Sequence, residues 1–116
     1  MILRVLRARV RPSDGPALFR RVRELVDARP AGLVHVTWAT QEDEDATRLL
    51  VVSTWRDLDA VYVAVGGRDL LWDAVLFRGF EDRLLEVDVQ HYSVLGSGRP
   101  GEIVEPAAEA DQASAP

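Results

Sequence analysis

Between Ile2 and Val94 the apolar residues change their spacing in a fixed order: period two, then 3.6, then two twice over, then 3.6, then two again. A period of two places alternate side chains on opposite faces of a strand, whereas 3.6 gathers them on one face of a helix. Residues 2–11 read as a strand, with Ile2, Leu6, Ala8 and Val10 on one side and Leu3, Val5, Arg7, Arg9 and Arg11 on the other. Pro12-Ser13-Asp14-Gly15-Pro16 breaks it and supplies caps for a helix carrying Leu18, Val22, Leu25 and Val26, which stops before Pro30. Strands over 33–41 and 47–55 flank Glu42-Asp43-Glu44-Asp45 and predict a hairpin with a solvated acidic turn. Asp57 or a neighbour caps a second helix bearing Leu58, Val61, Tyr62 and Val65, ended by Gly66-Gly67. A short helix is expected over 69–78, with Leu71, Trp72, Val75 and Leu76 inward, and a last strand over 83–94.

This order predicts an α+β fold: a ferredoxin-like βαββαβ unit with a four-stranded antiparallel sheet, helices on one face, and a second crossover helix in two pieces. Helices cover only one face, yet the first three strands carry large apolar groups on both, as with Leu50 and Val52 against Leu49, Val51 and Trp55. The open face needs a cover, and a homodimer packed sheet against sheet supplies it. At 116 residues the chain holds a single core. That domain spans 1–95; residues 96–116, which carry net charge −3 and only Ile103 and Val104 as sizeable apolar groups, read as a flexible acidic tail rich in Ala, Pro and Gly.

Composition removes whole classes of chemistry. With no cysteine there are no disulfides, zinc–thiolate sites or cysteine nucleophiles, which suits a reducing cytoplasm. All 14 basic residues are arginine, so there is no Schiff-base or phosphate-loop lysine, and asparagine is absent as well. A net charge of −5 argues against a nucleic-acid partner, and no apolar run is long enough for a membrane span.

The element order, together with Leu50-Val51-Val52-Ser53-Thr54-Trp55-Arg56-Asp57-Leu58-Asp59-Ala60 running from third strand into second helix, resembles the antibiotic biosynthesis monooxygenase (ABM) family of the dimeric α/β-barrel superfamily. The resemblance covers about residues 1–95. It implies a dimeric α/β barrel with a ligand cavity between each sheet and its helices, and activities that include cofactor-free oxygenation of aromatic polyketides and oxidative haem breakdown. Members that form polyketide quinones carry an Asn four residues before the Trp and a Tyr about six after it. Here those places hold Val51 and Val61, with Tyr62 one position later. Haem-degrading members use a first-strand Asn with a Trp and a His in the second helical region, but no His lies between Trp55 and Val89. Haem breakdown is therefore not expected.

The candidate site residues are His91, Tyr62 and Trp55. His91 continues the face of Leu85, Val87 and Val89 and is the best proton-transfer group, imidazole being the side chain that titrates near neutrality, though a buried structural histidine has the same pattern. Tyr62 is the candidate hydrogen-bond donor. Trp55 either lines a cavity or fills core with Leu49 and Val51; Trp38 and Trp72 are expected in the core, and His35 at the dimer contact. Arg7, Arg9 and Arg11 alternate to one side of the first strand, a pattern that suits a clamp on an anionic substrate, though with Asp88 and Glu86 nearby ion pairing across strands is the simpler account. Two functions remain: a cytoplasmic, cofactor-independent monooxygenase acting on a phenolic or anthrone-like aromatic substrate, or a non-catalytic dimeric ABM-fold module that binds a small apolar ligand or a protein partner.

Overall fold

The computed structural model describes residues 1–105. Its strands and helices follow in the order β1 (Ile2–Val10), α1 (Gly15–Ala28), β2 (Leu33–Glu42), β3 (Thr47–Trp55), α2 (Leu58–Val65) and β4 (Leu84–Ser93), with a small hairpin of β5 (Ser97–Arg99) and β6 (Glu102–Val104) after them. The first four strands make one antiparallel sheet in the order β2-β3-β1-β4, the ferredoxin-like arrangement expected from the periods.

Local chemistry explains most boundaries. Asp57 caps α2 by accepting the Ala60 amide at 2.8 Å, and Gly66 closes that helix in the left-handed region with φ 98°. The acidic run at 43–45 is exposed, with Asp43 paired to Arg48 at 2.9 Å. On the open face Arg9 meets Glu86 at 3.1 Å and Arg7 meets Asp88 at 3.8 Å, the cross-strand pairs read from alternation.

The helix-covered face holds the core in two clusters. Leu6, Val10, Leu18, Val22, Val51 and Phe77 anchor one beneath α1; Trp55, Ala60, Val61 and Val65 form the other beneath α2. On the open face Val5 is buried at the centre, whereas Leu3, Leu50 and Val52 are half-buried and Tyr92 is exposed.

Four expectations need correction. No α-helix forms over 69–78: short 3-10 turns at Arg68–Leu70 and Val75–Phe77 take its place. Arg4 bonds the main-chain carbonyls of Leu71 and Asp73, which a helix would give to the amides of Val75 and Phe77. Trp72, in the turn between, is 60% exposed instead of buried. Trp38 points to the covered face, opposite Val51, but stands on edge strand β2 and keeps 39% of its surface exposed. Finally, residues 97–104 of the expected tail pair as a hairpin, and 106–116 lie outside the described residues.

Strand β2 also carries a bulge. Leu33 pairs with Trp55 and His35 with Thr54, so Val34 is an extra residue and His35 falls on the open face. Just before it, Gly32 has φ 86° and approaches α2 so closely that an added Cβ would meet the Ala60 side chain. Gly32→Ala is therefore expected to destabilise the fold by more than about 1 kcal/mol, measurable by urea denaturation.

Candidate active site

Arg4 lies on the covered face of the central strand, in the parity of Ile2, Leu6, Ala8 and Val10, and is only 7% exposed. Strand pairing sets Ser53 of β3 on one side of it and His91 of β4 on the other, so a row of three polar residues crosses the sheet beneath the helices. The neighbouring row is apolar, Val51, Leu6 and Val89.

The guanidinium is held on three sides. Nη1 donates to the Leu71 carbonyl at 2.6 Å and lies 2.7 Å from His91 Nε2, and Nη2 donates to the Asp73 carbonyl at 2.7 Å. Burial lowers the Arg4 pKa, an effect partly offset by the negative charge of Asp73, yet a guanidinium stays charged at any working pH. Arginine only donates, so His91 Nε2 accepts and the ring proton sits on Nδ1, a buried atom without a hydrogen-bond partner among the described residues. Trp72 packs on the same imidazole, ring centroids 5.0 Å apart in a T-shaped contact. Burial, and then the Arg4 cation, lower the pKa of His91, which keeps it neutral near pH 7.

A cavity of about 220 Å³ opens beside this row, at the seam between the two core clusters. Arg4 and Ser53 are its polar wall; Val51, Trp55, Val65 and Leu76 are among its apolar ones. Trp55 is 3% exposed, and its indole N–H donates to Ser53 Oγ at 2.9 Å, which fixes the ring against the cavity. Of the residues singled out from sequence, Trp55 thus both lines the cavity and fills core. His91 reaches the cavity through its bond to Arg4, and is not itself a lining residue. Tyr62 is half-buried on α2 with the Arg68 guanidinium 5.1 Å over its ring, and does not line the cavity. Sequence reasoning missed Arg4, although a charge in the parity of the core face was the signal that could have found it.

Two outcomes follow from this geometry. Trp55→Ala removes a buried ring and is expected to cost about 3–5 kcal/mol in chemical denaturation. Because the folded state lowers the pKa of His91 from its usual 6.5, the unfolded chain binds more protons as the solution is acidified. Stability that is present above about pH 6.5 should fall as the pH passes down to the lowered folded-state value. Thermal unfolding between pH 7.5 and 5 should show this loss, and His91→Gln, which keeps an acceptor for Arg4 but cannot titrate, should remove that component.

No protein-family model matches the sequence, and no curated protein matches it. Solved structures do match. A provisional antibiotic biosynthesis monooxygenase from Nitrosomonas europaea is 16% identical with TM-score 0.61, over 82% of this chain and 99% of that one. A variant of SnoaB, a cofactor-independent oxygenase from Streptomyces nogalater, is 19% identical with TM-score 0.56, over 80% and 91%. The de novo designed protein Foldit4 is 18% identical with TM-score 0.62, over 80% and 97%. Such identities speak for backbone architecture and leave chemistry to the side chains. With its β2-β3-β1-β4 sheet and helices on one face, the chain has the ferredoxin-like α+β fold seen in these antibiotic biosynthesis monooxygenase structures.

Proposed function

We propose that this protein is a cofactor-independent monooxygenase that oxidises a phenolic or anthrone-like, polyketide-type aromatic substrate with molecular oxygen in the cytoplasm. The observation that carries the proposal is the cavity at the seam of the core, apolar but for Ser53 and one buried cation, Arg4. Its volume of about 220 Å³ is below the roughly 300–1,000 Å³ of drug-sized pockets, which favours two or three fused rings over larger systems.

In this reading the reacting carbon loses a proton to give a carbanion conjugated with the phenolic oxygen. The carbanion bonds to oxygen; protonation gives a hydroperoxide, and loss of water leaves a carbonyl. One oxygen atom ends in product and the other in water. Arg4 stabilises the oxyanion in a site of low dielectric, the donor role that the family resemblance implied for Tyr62. Trp55 is the wall on which the rings stack. His91 is the proton acceptor and takes the proton on Nε2 when its contact with Arg4 opens.

A second copy of the chain covers the open face in this proposal, since the half-buried Leu3, Leu50 and Val52 form an apolar centre there that no helix covers. Light scattering at micromolar concentration should give the mass of a dimer; a monomer contradicts this part.

One observation favours a second reading. In the resting geometry the only lone pair of His91 is bonded to Arg4, which leaves no free base at the cavity and suits a non-catalytic dimer that binds a small apolar ligand or a protein partner. Oxygen-electrode measurements with a panel of anthrones and naphthols separate the two. The monooxygenase is expected to consume one oxygen molecule for each new carbonyl, whereas tight binding of the panel without any uptake supports the binding module.

A further inference from the structure

Protein acceptors account for only part of Arg4. A guanidinium carries five N–H donors, and the described structure uses three: both on Nη1, to Leu71 and His91, and one on Nη2, to Asp73. Nε–H and one N–H of Nη2 remain, donors enough for two oxygens of one carboxylate or for a single phenolate oxygen. All three acceptors are neutral, being two main-chain carbonyls and an imidazole lone pair. Among the described residues no carboxylate oxygen lies within ion-pair distance of Arg4, and the charge of Asp73 acts on it only from farther away.

The surroundings narrow what can cancel that charge. Strand β3 offers Ser53 and Trp55, α1 offers Leu25, and α2 offers Ala64 and Val65, none of which titrates. Among the described residues that titrate or carry charge, only neutral His91 on β4 and the more distant Asp73 act on Arg4. Hydrogen bonds to neutral groups meet part of the cost of burying this cation, and the cavity is the side open to a counter-charge.

We propose that the cavity selects its occupant as an aryl oxyanion, a phenolate or an aromatic carboxylate, gripped by the two unused donors of Arg4 while the rings pack on Trp55. The inference rests on the cavity being the ligand site of the proposed function, and not on the oxygen chemistry. It makes Arg4 a specificity-determining residue, and makes the ionisation of the ligand, instead of that of a protein group, set the affinity.

The test measures binding to the wild-type protein by titration calorimetry, with 1-naphthoate against its neutral counterpart 1-naphthamide, and with two naphthols, one made more acidic by a nitro group. The naphthoate is expected to bind roughly ten- to a hundred-fold more tightly than the amide, the scale of a charged hydrogen bond. Each naphthol should bind up to tenfold more tightly per pH unit until its own pKa, so the break in the profile moves with the ligand. Equal affinity for acid and amide, or a break at one pH for both naphthols, overturns the inference. Arg4→Gln, checked for folding by circular dichroism, should abolish the preference for the acid; if that variant unfolds, the wild-type series decides alone. Oxygen uptake with neutral-form binding would overturn this inference and leave the monooxygenase standing. Anion-selective binding without uptake would do the reverse.

Discussion

A permanent charge on the covered face of the central strand organises the middle of this molecule. Arg4 sits where its parity demands an apolar residue, and burying it unpaired would cost several kcal/mol. The chain meets that demand by bringing the 71–73 segment down to offer two carbonyls, and by setting His91 across the sheet with its lone pair toward the guanidinium. From this one interaction follow the break in the second crossover, the exposure of Trp72, the tautomer of His91 and a cavity whose polar wall is cationic.

Periodicity carried the fold because its elements are ordinary. Alternation along β1 and β3, the spacing of Leu18 and Val22, and the Asp57 cap are decided within a few residues of each other, so a linear reading reaches them. The same holds for Arg7 with Asp88 and Arg9 with Glu86, once two strands are taken as neighbours. What escaped was set from a distance. The 69–78 segment has a helical pattern, but its carbonyls are claimed by a residue 67 and 69 positions earlier. Trp38 has the size and hydrophobicity of a core residue, and its exposure reflects only that β2 lies at the edge. The candidate site suffered most: its row of Ser53, Arg4 and His91 exists only in the register, which no local pattern reveals.

Fold and chemistry separate cleanly here. A designed protein and natural oxygenases share this backbone at similar TM-scores. A sheet with two covering helices is thus attainable for reasons of packing alone, and function has to reside at the few positions where packing is sacrificed. Among the described residues, Ser53, Arg4 and His91 are such positions, in a polar row beside a cavity.

The split of the core into two clusters has a dynamic consequence. A hydrophobic core that is continuous tends to open all at once, whereas one divided by a cavity and a polar row can separate along that seam into units of unequal stability. The α2 unit is the weaker, since an eight-residue helix, Trp55 and short 3-10 turns must hold it against the sheet. Its amides should exchange with solvent ahead of those in β1 and α1, while the sheet stays folded.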